Sequence, residues 1–496
     1  MPTDPTTKSQ VQAYRFVVRR MESALVRKDS VMLHEPMRNH LRASGVGLIL
    51  GVLGLAAFFV VGLFSPTSKL DGNEIVIVKQ TGQVFVVPDG EPLRVIPVPN
   101  LTSARLLYAA FSDLSEPPET KHVENSALAG VPREPATGLD GAPEALPEPD
   151  KLVGGDWSVC DTAEVREELP NAQARPTLST TVVIGVPGPG QPLGGNEALL
   201  VEEESTGATY LVHDGRRGRV DLNDPAVGHA YGLIGVVPRK VSAGLLNAIP
   251  EGHSFNPPDI PGAEQPSRFP QLSGVQVGDV VQVNLAGGQE SFFLVLEQGT
   301  QQVERGVANL IRFAHGSSDR FPEVAPADIT GVPTAPKASQ WDFTDYPAQV
   351  PKIREITETP VSCAVWKGAE AQPVITVSPG EQAPLQQSVQ VPGAGRGQTA
   401  DRVFLEPGMG ALVQGVVPGQ RPGSGAPIWL VNDQGFAYRV PSIEVARALG
   451  LGEKVTTAPE SVLGLLKVGV TLDPQQALAL FDPERAQQRA EQRGGG

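Results

Sequence analysis

Seven histidines and two cysteines are the side chains best suited to chemistry in this chain of 496 residues. The histidines are His34, His40, His122, His213, His229, His253 and His315, and none stands in HExxH, the spacing that sets two zinc ligands and a base on one helical face. His34 and His40 are six positions apart with Pro36 between them, so they do not share a face at i,i+4. Cys160 and Cys363 cannot make a CxxC metal pair, and there is no GxSxG elbow. His213-Asp214 and His315-Gly316-Ser317 hold useful residue types, but Asp214-Gly215 reads more simply as a turn. Nucleotide hydrolysis needs a loop whose backbone cradles phosphate, and no GxxxxGK[ST] occurs. Gly450-Leu451-Gly452-Glu453-Lys454 is glycine-rich, yet Glu453 stands where phosphate would approach and the loop follows a helix instead of opening one. No catalytic residue, cofactor-binding residue or metal site is therefore expected.

The rest of the composition says what such a chain can do instead. Its length allows three or four structural units at ~100–200 residues each. Glycine (54) and proline (47) make up a fifth of it and aromatics only 5%, a balance that favours short strands and turns over helical bundles. The net charge of −15 is unevenly spread: residues 1–44 hold eight Lys/Arg against four Asp/Glu, a local +4, which leaves −19 on the remainder. An acidic body does not suit nucleic acid, whose phosphates need a positive surface.

Residues 45–64 (GVGLILGVLGLAAFFVVGLF) carry no charged or polar side chain. About 20 such residues, at ~1.5 Å each, cross a ~30 Å hydrocarbon layer. A buried core helix would carry a polar stripe, and Ser65-Pro66-Thr67 offers no small-x-small signal cleavage site. Arg15, Arg19, Arg20, Arg27, Lys28, Arg38 and Arg42 precede the span, whereas only Lys69 and Lys79 follow it closely. The positive-inside rule then places the arm in the cytoplasm and translocates the acidic body.

Within the arm, Ser9 with Gln12 reads as a capping box. Val11, Tyr14, Val18, Met21 and Leu25 recur at helical spacing, with Arg15, Arg19 and Arg27 opposite, a break expected near Asp29-Ser30 and a new helix from Pro36. A basic amphipathic helix of this kind either lies on the anionic lipid bilayer or docks its apolar face on a partner, and both readings stay open.

The body repeats itself. Strand, tight turn and strand recur at 75–87 around Gly82, at 199–212 around Gly207, at 292–303 around Gly299 and at 429–440 around Gly435. Pro187-Gly188-Pro189-Gly190 precedes the second copy and Pro407-Gly408-Met409-Gly410 the fourth; Ala230-Tyr231-Gly232-Leu233 matches Ala448-Leu449-Gly450-Leu451, and Gly244-Leu245-Leu246 matches Gly464-Leu465-Leu466. Residues 112–151 are rich in Pro and Glu and read as a linker or loosely held excursion. Both cysteines lie in the body, Trp157 three residues before Cys160 and Trp366 three after Cys363. In an oxidising compartment they form a disulfide, closing a loop that stabilises by roughly 4–5 kcal/mol; two free thiols are the alternative.

Together these residues resemble the EccB family, the single-pass component of type VII (ESX) secretion membrane complexes. The resemblance rests on Gln10-Val-Gln-Ala-Tyr-Arg-Phe-Val-Val-Arg-Arg-Met21, the basic stretch 38–42, the body opening Lys69-Leu70-Asp71-Gly72, the hairpins and the cysteine pair. It implies a mainly β, α+β fold: an amphipathic helix, one transmembrane helix, and a periplasmic body of small repeated β-rich domains around a central β-rich domain tied by a disulfide. It also implies assembly with an EccC-type FtsK/SpoIIIE-like ATPase, EccD, EccE, the mycosin protease and other EccB copies in a hexameric complex in the cytoplasmic membrane. The expected organisation is a cytoplasmic arm over 1–44, the span over 45–64, a first repeat over 65–112, a Pro/Glu-rich linker and cysteine-bearing segment over 113–182, repeats over 183–265 and 266–335, a central-domain segment over 336–400, a fourth repeat over 401–482 and a polar tail over 483–496. The expected function is that of a structural and assembly subunit, its arm binding a partner through Val11, Tyr14, Arg15, Val18, Arg19 and Met21. The alternatives are a membrane-anchored ATPase of the same system and a stand-alone cell-envelope binding protein.

Overall fold

The structure, a computed structural model, describes residues 7–28, 36–63, 70–111, 119–164, 177–316, 320–367, 372–393, 399–417, 419–421, 423 and 425–481. Two compact units divide the chain, residues 1–69 and 70–496. In the first, helix α1 spans Lys8–Arg27. Its capping box lies two residues earlier than the Ser9/Gln12 expectation: Thr7 Oγ1 accepts from the Gln10 N–H at 3.4 Å, and Gln10 Oε1 accepts from the Thr7 N–H at 2.9 Å. Thr7-x-x-Gln10 offers the same chemistry as Ser9-x-x-Gln12 and adds half a turn, so the longer helix wins. It closes at Lys28, whose φ of 56° is left-handed; Asp29-Ser30 lie outside the described residues. Helix α2 runs Pro36–Leu63, its proline at the first position where the missing N–H costs nothing. Within it His40–Val60 is long and apolar enough to cross a membrane, with a mean hydropathy of 2.3 and no part buried. That window starts five residues before the expected span, and Phe64 lies outside the described residues.

In the second unit five sheets occur among the described residues. The first is ordered Ile96–Val98, Val84–Val87, Glu74–Val78, Thr120–Val123, with the last strand parallel to its neighbour and the rest antiparallel. Alternation sends Ile75 and Val86 under helix α3 (Leu101–Phe111), where they meet Ala104 and Leu107, and sends Val76 and Phe85 to the other face. The expected linker over 112–151 is thus partly a strand. Its few apolar residues are placed where they count: Leu139 and Ala142 pack with Leu106, Leu412 and Leu430, and the Ser103 hydroxyl accepts from the Leu139 N–H at 3.1 Å. Composition averages over such anchors and so missed them.

The second sheet pairs Glu197–Glu203 with Thr209–His213 antiparallel and with Arg239–Val241 parallel, alongside helices α4 (Pro225–Ala230) and α5 (Ala243–Ala248). A third, antiparallel sheet comprises Val280–Asn284, Glu290–Leu296 and Gly299–Val303, with helices α6 (Arg305–Ala314) and α7 (Pro326–Thr330). The fourth is ordered Thr456–Pro459, Gly410–Val416, Ile428–Asn432, Phe436–Val440, Lys467–Val468, with helices α8 (Ile443–Ala448), α9 (Glu460–Leu463) and α10 (Pro474–Ala477).

Helices α4 and α8 end alike. The Leu233 N–H donates to the Gly228 carbonyl at 2.8 Å and the Leu451 N–H to the Ala446 carbonyl at 2.9 Å, each across a glycine with positive φ, Gly232 (65°) and Gly450 (75°). This is the closure that glycine permits at a helix end. The other sequence matches do not occupy equal positions. Gly244 lies inside α5, whereas Gly464 caps α9; the residues placed like Leu245-Leu246 are Val462-Leu463. Likewise Pro407–Gly410 leads into the fourth sheet, but Pro187–Gly190 leads to Gln191–Pro192, an edge of the central sheet.

That central sheet has seven strands, ordered Val389–Gln390, Arg402–Phe404, Thr177–Ile184, Asp156–Glu164, Val361–Lys367, Val374–Ser378, Gln191–Pro192. It is gathered from stretches of chain some 200 residues apart, and both of its faces are buried. Trp157, Val159, Ala364 and Trp366 face one cluster; Cys160, Val183, Cys363 and Val365 face the other.

Candidate functional site

Two places concentrate the side chains that could act. One is the middle of the central sheet, where Asp156–Glu164 and Val361–Lys367 run antiparallel with Cys160 opposite Cys363 and Trp157 opposite Trp366. A disulfide joins the cysteines, S–S 2.08 Å. Two cross-strand pairs three residues apart point to opposite faces, so the tryptophans cover one side and the sulfurs the other.

Next to the disulfide is Asp161, 2% exposed. Thr180 donates its hydroxyl to Asp161 Oδ1 at 2.8 Å, Ser242 donates its hydroxyl to the same oxygen at 2.9 Å, and the Ser242 N–H donates to Oδ2 at 2.6 Å. Ser242 caps α5, so one carboxylate ties that helix to the central sheet. Burial pushes the Asp161 carboxyl up to about 6, against the pull of the Ser242 N–H and the two hydroxyls, and the Asp401 charge adds to the rise. Arg239, 3% exposed, donates to Thr359 Oγ1 at 2.8 Å; burial lowers it to about 10 while the Asp161 charge opposes the drop. It stays cationic at neutral pH. Sequence reasoning passed over both residues. The signal was available for Asp161, because in Asp156–Glu164 it shares strand parity with the buried Trp157 and Val159.

The other place is α1. Tyr14 (71%) and Met21 (64%) are exposed, as are Val11, Arg15 and Arg19, while Val18 is half-buried. At 100° per residue, Val11, Tyr14, Val18, Met21 and Leu25 share one arc, with Arg15 and Arg19 along one border of it and Arg27 on the far side.

Several of the other chemistry-bearing residues are structurally engaged. His213 Nδ1 lies 3.5 Å from the Glu197 carbonyl oxygen, and Asp214 (φ 47°) with Gly215 (φ 70°) makes the left-handed turn between Thr209–His213 and Arg216–Arg219. His253 Nδ1 is 3.0 Å from Asp345 Oδ2, and Arg216 pairs with the other oxygen at 3.3 Å. His315 caps α6; Ser317 and His34 lie outside the described residues. The Gly450–Lys454 loop closes α8, with Arg105 donating to the Leu449 carbonyl at 2.5 Å and Arg447 paired to Glu453 at 3.1 Å. Among the described residues no three His, Cys, Asp or Glu converge as a ligand set.

The family described as "Type VII secretion system ESX-1, transport TM domain B" matches residues 3–483. The protein named ESX-3 secretion system ATPase EccB3 of Mycolicibacterium smegmatis is 32% identical, over 96% of this chain and 91% of its own length. A chain of an intact ESX-5 inner membrane complex superposes with a TM-score of 0.68 at 26% identity, covering 97% of both chains. A chain of an EccB3 dimer from an ESX-3 core complex gives 0.69 at 29% identity, over 82% of this chain and all of that one.

Proposed function

The chain belongs to the EccB family of type VII secretion systems, and on that premise we propose that it is a structural and assembly subunit of an ESX inner membrane complex, acting through binding surfaces and not through a reaction of its own. The observation that carries this reading is the contrast between an amphipathic arm with Tyr14 and Met21 exposed and a body whose His213, His253, Asp161 and Gly450 loop are engaged in holding sheets and helix ends together. Similar chains sit in an inner membrane complex and in a dimer, which supports a complex with other components. The arm lies in the cytoplasm, α2 crosses the membrane once, and the acidic body lies on the periplasmic side. The face Val11, Tyr14, Val18 and Met21, flanked by Arg15 and Arg19, docks on the EccC-type FtsK/SpoIIIE-like ATPase; the body meets EccD, EccE, the mycosin protease and further copies of itself.

In the body, the four hairpin-bearing sheets are copies of one ancestral module placed around the central sheet. The common closure of α4 and α8 supports this for the second and fourth. The modules proposed here depart from the expected boundaries: 119–155 belongs with the first and fourth modules, 336–360 with the second and third, and the central domain gathers residues from 156–192 and 361–404.

The similar proteins carry ATPase in their names. We assign nucleotide turnover to the partner, because this chain has no phosphate-binding loop and its glycine-rich Gly450 loop ends a helix where a phosphate site would begin one. Purified full-length chain incubated with ATP and Mg²⁺ should release phosphate no faster than buffer. Turnover that a single substitution in this chain abolishes would overturn the assignment.

A further inference from the structure

A groove of about 420 Å³ opens beside the turn that joins Glu290–Leu296 to Gly299–Val303. Trp341 lines it, 36% exposed, whereas Trp157 and Trp366 are fully buried. An exposed indole invites the question of what holds it there. Gln301 clamps its backbone: Oε1 accepts from the Trp341 N–H at 2.9 Å, and Nε2 donates to the Trp341 carbonyl at 2.7 Å. Around it stand Pro261, Glu297, Gln298 and Gln340. Gln298 Oε1 accepts from the Ser339 hydroxyl at 3.1 Å, which leaves the Gln298 NH₂ to donate elsewhere. Gln340 donates to the Ala335 carbonyl at 2.6 Å, which leaves its Oε1 to accept. Among the described residues none pairs with the exposed Glu297 carboxylate, and no Lys, Arg or His lines the groove.

We infer that this groove binds a neutral carbohydrate, a pyranose stacking on Trp341 with its hydroxyls shared among Glu297, Gln298 and Gln340. Each sugar hydroxyl both donates and accepts, so a wall that mixes a carboxylate, an amide donor and an amide acceptor satisfies a polyol better than any one-sided ligand. A phosphate, nucleotide or carboxylated ligand would face Glu297 with no cation to offset it. A proline-rich peptide brings carbonyl acceptors but no N–H donors, so it would satisfy the Gln298 amide and leave the Glu297 carboxylate and the Gln340 oxygen without a donor. The C–H face of a pyranose meets an indole as an apolar surface, and the clamp by Gln301 fixes the backbone that carries that indole before the ligand arrives. The inference is independent of the assembly role and would stand or fall without it.

The test uses the full-length chain in a sugar-free detergent, so that no maltoside headgroup competes. Chitotetraose, cellotetraose and mannotetraose are titrated separately by saturation-transfer NMR, with decaproline as the peptide contrast. At least one of the sugars should bind saturably at millimolar concentration or below. Trp341→Ala should weaken that binding about tenfold or more, Glu297→Gln by a few-fold, and the distant Val468→Ala not at all. Trp341→Phe keeps a ring and should retain part of the affinity, which separates a lost stacking surface from a misfolded domain. Failure of all three sugars to bind, equal binding by Trp341→Ala, or saturable binding of decaproline in their place would overturn the inference.

Discussion

Asp161 is ionised at pH 7 in a place that supplies three hydrogen-bond donors and almost no water. Its folded carboxyl titrates at about 6, whereas an unfolded aspartate titrates near ~3.9. A raised acid favours the folded state while protonated. Between those two values the folded chain holds more protons than the unfolded one, so the local stability due to Asp161 is fully present below about pH 4 and lost as pH rises past about 6. At ~1.4 kcal/mol per unit the loss is on the order of 3 kcal/mol. The facing groups are Thr180, Ser242, Asp401 and Arg239, and of the charged ones Asp401 adds to the effect while the Arg239 cation opposes it. Hydrogen exchange at the amides of α5, corrected for intrinsic rate, should therefore show stronger protection at pH 5 than at pH 7.5. Asp161→Asn should flatten that difference; an unchanged difference would remove Asp161 as its cause.

At the scale of elements, glycine positions discriminate a shared module from coincidental glycines. Gly450 sits at φ 75° with the Arg105 guanidinium 2.8 Å from where a Cβ would stand, so Gly450→Ala should cost ~1–2 kcal/mol in urea unfolding. Gly464 is right-handed helical with nothing nearer than 3.5 Å, and Gly464→Ala should be neutral or stabilise by up to ~1 kcal/mol. The reverse order would contradict the closure described for α8. Periodicity made the hairpins, α1 and the apolar helix legible, because each depends on neighbours within a few residues. The central sheet was legible only as scattered apolar runs, since its pairings join residues some 200 apart. One long-range clue was nonetheless present: Trp-x-x-Cys and Cys-x-x-Trp are mirror images, the signature of an antiparallel register that pairs both residues at once. The groove at Trp341 left no such trace, since its lining comes from three separate stretches of chain.

The arm belongs to the same scale. Tyr14→Leu keeps apolar character and helix propensity but removes the ring and hydroxyl, so lipid affinity should hardly change while docking in a shaped pocket weakens by ~1–2 kcal/mol or more. Arg15→Gln with Arg19→Gln should act the other way, weakening a contact with anionic lipid. Extracted complexes from cells carrying each variant should lose the partner ATPase in the first case and keep it in the second. The opposite pattern would mean that a basic contact, not the apolar face, holds the arm.

For the molecule as a whole, the body has a sheet buried on both faces and tied by the disulfide at its centre, with smaller sheets packed around it, and among the described residues one long apolar helix precedes it in the chain, after a basic arm. Such a chain has much surface to offer partners, and among the described residues no three His, Cys, Asp or Glu converge as a ligand set. The most direct test is extraction from its own cells in mild detergent, followed by sizing of the particle and identification of every protein in it. The account predicts a particle far larger than one 52.3 kDa chain, holding several copies of it together with an FtsK/SpoIIIE-like ATPase. A lone monomer, stable through extraction and free of that ATPase, would contradict it.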